Sequence, residues 1–427
     1  MEDQALQQHA SFFCAFLNVT GRDVRGGRQA ETLDQVAAEI ENVRAAWAWA
    51  YQHRSTQLLD EAAFGMLLYK ESRSLWREGH ENFRLAIEAF GAPGSLVEKR
   101  TLAYLLACQG WFCTRLTRFD QAEGLLSQSL SLLADVPPGS AHILPHFALG
   151  FLNIWQGQFV EAMRHISTCL SYASQFGDAW ATAWGREMLA EMAFESRRTG
   201  YSQEPFMETL ALFERIGEQR GISRVLNYLG NIAMAQGKTT EARGFYERML
   251  TSMQRIGDVW GAAGAYSKLG KLALLTGEYE QAWKLLQQGF TLVQKTGDLR
   301  RTAYAVGELG EAACALGRVD EAEDHFRRAL DTAAQTRNMP LVLDLLTGIS
   351  ASLIRQGQTN HAERLLALVQ GSCGVDPITA ARVQQMQDTH NLAQQKDLSD
   401  EEAQRLVWQA VDDLLGNGIQ LSGTNSA

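Results

Sequence analysis

The chain has 427 residues, only seven prolines, six cysteines and a formal net charge of −10. One compact core stops growing at about 250–300 residues, so this length implies several domains or a repeat array. The acidic balance excludes wrapping onto a nucleic-acid backbone or an anionic membrane, which need clustered Lys and Arg; a 46% hydrophobic content excludes wholesale disorder.

The first residues, MEDQALQQH, are acidic and polar and do not read as a secretory signal. No apolar run reaches the roughly 18 residues that a membrane span needs. The cysteines, Cys14, Cys108, Cys113, Cys169, Cys314 and Cys373, form no C-x-x-C pair, so free buried thiols in a reducing cytoplasm are expected, with no metal and no cofactor. Residues 1–57 read as two or three helices forming an N-terminal cap, broken by the polar, glycine-rich turn around Arg22 to Gln29.

From there a repeat dominates. GQFVEA ends at Ala162, GKTTEA at Ala242, GEYEQA at Ala282, GRVDEA at Ala322 and GQTNHA at Ala362, and LTRFDQA ends at Ala122. Every spacing is 40 except one of 80, where Ser202 takes the alanine slot of a degenerate copy. A second series of small residues keeps the same period: Gly110, Gly150, Ala190, Gly230, Gly270, Gly310 and Ser350. A third runs through Gly177-Asp178, Gly217-Glu218, Gly257-Asp258 and Gly297-Asp298 and continues at Arg337-Asn338. Each unit predicts a helical hairpin whose small residues let the two axes approach, with Tyr246, Leu286, Phe326 and Leu366 filling the interface four residues after each alanine. The Gly-Asp corner ends one helix in a left-handed residue and caps the next. Residues 58–377 thus predict eight hairpins. The first and fourth are degenerate, the first with Lys70 in the small slot and Asn82 in the alanine slot. Residues 378–427 predict a C-terminal helical cap and tail. The expected fold is all-α, a right-handed α-solenoid with a cap at each end, because one hairpin cannot bury both its faces and stacked neighbours can.

The pairs Gly150/Ala162, Gly230/Ala242/Tyr246 and Gly310/Ala322/Phe326 resemble the tetratricopeptide repeat, although the usual period is about 34 residues. The 40-residue form, with its GD-x-x-G-x-A junction, is similar to the repeats of spindle-orienting adaptors and of bacterial sensor arms, including that of the maltose-operon activator. EIENVRAAWAWA at 39–50, with His9-Ala10-Ser11-Phe12-Phe13 upstream, resembles the segment after the winged helix in STAND-class signal-transduction ATPases. The stretch from His361 to Trp408 resembles the terminal cap of such arms. No G-x-x-x-x-G-K-[ST] occurs, so the resemblance is to the arm and not to the ATPase.

Candidate chemistry is sparse. His142 and His146 stand at ligand spacing, but Pro145 lies between them and no third ligand is evident. Glu187, Glu191 and Glu195 form an acidic stripe, which reads as a solvated or salt-bridged face before it reads as catalytic carboxylates. No hydrolase signature occurs, so no enzyme is expected.

The better candidate is the concave groove that the first helix of each repeat lines in tetratricopeptide arrays. Carrying over its offsets gives an aromatic stretch, Trp111, Phe147, Phe151, Trp155 and Trp184. A polar stretch follows: Arg224, Asn227, Asn231, Lys271, Tyr304 and Arg355. An aromatic stripe at helical spacing also fits packing between stacked repeats. The resemblance implies a non-catalytic interaction and sensing module for a peptide or protein segment, the sensor arm of a signalling or transcriptional regulator. The alternative is a small-molecule inducer sensor.

Overall fold

The computed structural model describes residues 2–195, 202–296, 299–336, 338–372, 375, 377–390, 392 and 400–417. Among them the regular structure is helical throughout, with no strand. The fold is an all-α solenoid of helical hairpins. The chain opens with α1 (Glu2–Asp23), α2 (Gln29–Ala38) and α3 (Ile40–Gln52). Eight hairpins follow: α4/α5 (Thr56–Ser72, Trp76–Phe90), α6/α7 (Leu96–Arg115, Phe119–Leu133), α8/α9 (Ile143–Trp155, Phe159–Gln175), α10/α11 (Ala179–Glu195, Glu204–Ile216), α12/α13 (Gln219–Ala235, Thr239–Ile256), α14/α15 (Val259–Leu275, Tyr279–Thr296), α16/α17 (Leu299–Ala315, Val319–Thr336) and α18/α19 (Met339–Arg355, Thr359–Gln370). Two further helices are α20 (Pro377–His390) and α21 (Asp400–Asn417). No described helix is long and apolar enough to cross a membrane.

The predicted hairpin register is the observed one. A Cβ placed on Gly110 would meet Leu126 at 2.8 Å, on Gly150 Ile166 at 2.8 Å, on Gly230 Tyr246 at 2.3 Å, and on Gly270 Leu286 at 2.5 Å. Each small residue therefore faces the side chain four positions after its alanine, and Ala122, Ala162, Ala242, Ala282, Ala322 and Ala362 are fully buried. The hairpin turns repeat one backbone conformation: Gly157, Gly237, Gly277, Gly317 and Gly357 all have φ between 73° and 80°. Thr117, in the copy that lacks this glycine, adopts the same left-handed conformation at φ 59°. The copy at 197–201, the corner at Gly297-Asp298, Arg337, Cys373 and the tail from 418 lie outside the described residues.

The chain divides into two compact units, Met1–Tyr228 with Thr251–Asp258, and Leu229–Leu250 with Val259–Ala427. In the first, aromatic residues stitch successive hairpins together: Trp47 packs edge-on against Phe83 at 5.3 Å, and Phe83 stacks on Phe112 at 6.0 Å. The glycine-rich turn between α1 and α2 also reaches far along this unit and docks on two of the corners. Arg25 Nη1 donates to Asp178 Oδ2 at 3.1 Å, and its guanidinium lies 3.9 Å from the Phe64 ring centroid and 4.9 Å from that of Trp180. Gln29 Nε2 donates to Glu218 Oε1 at 3.0 Å, while Gln29 Oε1 accepts from the Gln219 backbone N–H at 2.9 Å. The α4–α5 turn meets the third corner: Arg73 Nη1 donates to the Ile256 carbonyl at 3.1 Å.

Each corner acid has two tasks. Asp178 Oδ1 caps α10 by accepting from the Ala181 N–H at 2.9 Å, which leaves Oδ2 for Arg25. Glu218 Oε2 accepts from the Gly221 N–H, which leaves Oε1 for Gln29. In the second unit, Phe326, Leu345 and Leu366 build a core to which α21 adds Val407, Val411 and Leu414.

Candidate functional site

In the first unit the aromatic residues picked out by the groove offsets come together. The ring centroids of Trp111 and Phe147 are 5.3 Å apart, Trp111 and Phe151 5.2 Å, Phe151 and Trp155 5.0 Å, and Phe147 and Trp184 6.3 Å. Trp180, one turn before Trp184, joins them at 6.0 Å from Phe147 and also carries Arg25. All are buried except Trp155 and Trp180, which are half-buried. They therefore serve the packing of α6, α8 and α10 as well as forming an aromatic wall.

Charged side chains are set into this wall. Arg224 lies 4.7 Å from the Phe151 ring, donates to Glu187 Oε1 at 2.6 Å and pairs with Glu191 Oε2. Glu191 Oε1 accepts from the Tyr228 hydroxyl at 2.6 Å. The acidic stripe is thus salt-bridged, and Glu187 and Glu191 are buried rather than solvated; the side chain of Glu195 lies outside the described residues. Burial is the largest influence on Glu187 and, against the attraction of Arg224 and with the repulsion of Glu191, raises its carboxyl to about 7.

A second ion cluster centres on Glu71. It accepts from Trp111 Nε1 at 3.1 Å and Arg220 Nη2 at 2.6 Å, and Arg115 Nε lies 3.3 Å away. Burial alone would raise this carboxyl, but Arg115 and Arg220 outweigh it and hold Glu71 below the ordinary carboxylate range. The Arg115 guanidinium, lowered to about 10 chiefly by burial, also lies 4.4 Å from the Trp76 ring. Glu71, Arg115 and Arg220 were absent from the expected set. The signal was present for two of them: Glu71 stands one residue after the small slot of the first, degenerate repeat, the position that Trp111 and Phe151 hold in the next two, and Arg115 stands five after Gly110, as Trp155 does after Gly150. Asn227 is half-buried on α12.

The second unit holds the other expected residues in separate places. Asn231 is buried and its Oδ1 accepts from the Tyr246 hydroxyl at 2.9 Å, so it ties the two helices of its own hairpin. Lys271 Nζ stands 3.2 Å from Asp344 Oδ2 and 3.3 Å from Glu308 Oε1, and Ser267 donates to Glu308 at 2.6 Å. Burial would lower the lysine, but Asp344 and Glu308 raise it above its ordinary value. Arg382 of α20 pairs with Glu311, so the C-terminal helices supply a cation to the same helix rows. Tyr304 is half-buried against the core, and Arg355 is exposed with its guanidinium 5.7 Å from the Tyr279 ring.

His142 and His146 each turn to a ring on α9. His146 Nδ1 lies 2.9 Å from His165 Nδ1 and His142 stacks on Tyr172 at 4.9 Å; among the described residues no three His, Cys, Asp or Glu side chains are grouped to hold a metal. Cys14, Cys108, Cys113, Cys169 and Cys314 are free and buried; burial raises Cys113 to about 11 and Cys14 and Cys169 to about 12.

Two tetratricopeptide repeat family models match the chain, one over residues 221–295 and one over 305–340. No curated protein matches it in sequence. Among solved structures, a Signal Transduction ATPase with Numerous Domains (STAND) protein with a tetratricopeptide repeat sensor from Pyrococcus horikoshii is similar. Its TM-score is 0.53 and its identity 15%, over 87% of this chain and 55% of that one. Aspartyl phosphate phosphatase F from Bacillus subtilis matches with a TM-score of 0.53 and 11% identity, over 86% of this chain and 93% of that one. A Rap protein complexed with Competence and Sporulation Factor matches at 0.52 and 14%, over 90% and 99%. At these identities the likeness is one of fold.

Proposed function

We propose that this array of tetratricopeptide repeats is a non-catalytic interaction and sensing module that binds a peptide or protein segment along its first-helix rows. It serves in the cytoplasm as the sensor arm of a signalling or transcriptional regulator. In this reading 58–377 is the binding array, and 1–57 and 378–427 are its caps. The observation that carries the reading is the wall in the first unit, where Trp111, Phe147, Phe151, Trp155 and Trp184 come together and the Phe151 ring carries Arg224. Largely buried aromatic anchors beside a half-buried, ion-paired arginine are the composition of binding hot spots. Asn227, half-buried on α12, supplies an amide in the same unit, and in the second unit, taken by itself, Asn231, Lys271, Tyr304 and Arg355 are the candidate polar contacts. Support for a sensing role comes from the STAND protein, whose tetratricopeptide part is a sensor, and from the Rap protein, crystallised with Competence and Sporulation Factor.

The test is a parallel screen. A peptide array and a metabolite thermal-shift panel are run on the wild type and on Trp155→Ala, the anchor with the most reachable ring. Peptide capture that Trp155→Ala weakens is the expected result. Stabilisation by a metabolite alone, abolished in the same variant, replaces the peptide with a small inducer; no response to either panel overturns the reading.

A further inference from the structure

Two polar atoms in the aromatic wall have no hydrogen-bond partner although both are buried: Trp184 Nε1 and Glu187 Oε2. Glu187 is 0% exposed and Trp184 7%. They sit one turn apart on α10, at the i, i+3 spacing that places side chains on one helix face. The next acid on the helix, Glu191, does not share the deficit. Glu191 uses both oxygens, one for Arg224 and one for Tyr228, whereas Glu187 uses only Oε1. Charge is unbalanced in the same sense, since one cation, Arg224, lies between two carboxylates. Buried donors and acceptors are nearly always satisfied, so two orphans on one face describe a missing partner.

The missing partner has a definite chemistry. Glu187 Oε2 lacks a donor, preferably a cationic one, and Trp184 Nε1–H lacks an acceptor. Around them are rings, with Phe147 at 6.3 Å, Trp180 at 5.9 Å and Phe213 at 5.1 Å from Trp184, whose faces favour a cation. An ammonium group one carbon away from a carbonyl meets both needs, and a polypeptide offers that pair at its free amino terminus. We propose that Trp184 and Glu187 receive the free amino terminus of the bound peptide, the α-ammonium donating to Glu187 Oε2 and the first carbonyl accepting from Trp184 Nε1. This rests on the reading of the first unit as a peptide site and adds the polarity and end-specificity of the ligand.

The experiment uses the full chain and two random hexapeptide libraries built without lysine, one with free amino termini and one N-acetylated, read by affinity selection and mass spectrometry. Selected peptides are then titrated individually in both forms. The expected result is that acetylation weakens capture by roughly 10–100-fold, the worth of one charge-assisted hydrogen bond. Glu187→Gln, which keeps an acceptor for Arg224, should bring the two forms to within about threefold, because the neutral amide loses the charge-assisted part of the bond. Trp184→Phe should weaken the free form. Equal capture of both libraries by the wild type overturns the proposal and leaves the peptide reading standing. Capture of neither overturns that reading, and the proposal with it. A preference for free termini that survives Glu187→Gln places the amine elsewhere and overturns the proposal. The first comparison needs no variant, so it holds even if one fails to fold.

Discussion

The Arg25 guanidinium lies 3.1 Å from the Asp178 carboxylate although 153 residues separate them, and the Phe64 and Trp180 rings flank it. With Gln29 on Glu218, this contact clasps the N-terminal helices to repeats far along the first unit. Arg25→Ala should destabilise the unit by about 1–2 kcal/mol through the lost ion pair and cation–π contact. Gln29→Ala should cost about 1–3 kcal/mol because it leaves Glu218 with an unsatisfied buried oxygen. Urea midpoints that stay unchanged in the double variant would show that the clasp contributes nothing.

Thr117 stands in the turn slot that glycine fills in five other repeats, with φ at 59°. A side chain there costs roughly 1–2 kcal/mol of backbone strain. Thr117→Gly should therefore raise stability by about 1 kcal/mol, less than the full strain because glycine loses more entropy on folding. A lower melting temperature for this variant would contradict the left-handed turn.

Hairpin closure in the second unit depends on Gly230, Asn231, Ala242 and Tyr246. A Cβ at Gly230 would lie 2.3 Å from the Tyr246 ring, and Ala242 has no free surface. Gly230→Val and Ala242→Trp should each cost at least about 1–3 kcal/mol by overpacking. Asn231→Ala should cost about 1–3 kcal/mol by orphaning the Tyr246 hydroxyl. Calorimetric melting of the three variants checks this; an unaltered melting temperature for both overpacked variants would sink the hairpin register.

His146 and His165 face each other at 2.9 Å, and burial is the largest cause lowering both imidazoles to about 4. The folded chain then binds fewer protons than the unfolded chain between about pH 4 and 6.5, the latter being the ordinary imidazole value. Stability contributed by this pair is present above pH 6.5 and is lost as pH falls toward 4. Melting temperatures at pH 5 and 7.5 should differ less in a His146→Gln/His165→Gln double variant than in the wild type. An equal or larger difference would remove the pair as a source of acid sensitivity.

The hairpins were legible in the sequence because backbone approach dictates residue size. Only a small residue fits where Gly110, Gly150, Gly230 and Gly270 meet their partner helices, so the constraint recurs once per repeat and can be counted. The aromatic wall was legible for the same reason, since Trp111, Phe147, Phe151 and Trp184 occupy repeating slots. The ion clusters were not. Glu71 meets Arg220 from 149 residues away, and Glu311 meets Arg382 from 71. The acids themselves recur, since Glu71, Glu191 and Glu311 hold one slot of the repeat, but their cationic partners stand in other slots on other helices, and periodicity is blind to such pairings. The same blindness hid the clasp: the glycine-rich turn was readable as a turn, but not as a binder of the corner acids.

The clasp also limits how the first unit can evolve. An open stack can lose or duplicate a hairpin and merely become shorter or longer. Here Arg25 and Gln29, four residues apart, are matched to two carboxylates 40 residues apart on successive corners. Removing one hairpin between them and α4 would shift every corner by a full step, leaving the turn opposite the wrong junction. The number of units enclosed by this loop is therefore fixed by geometry.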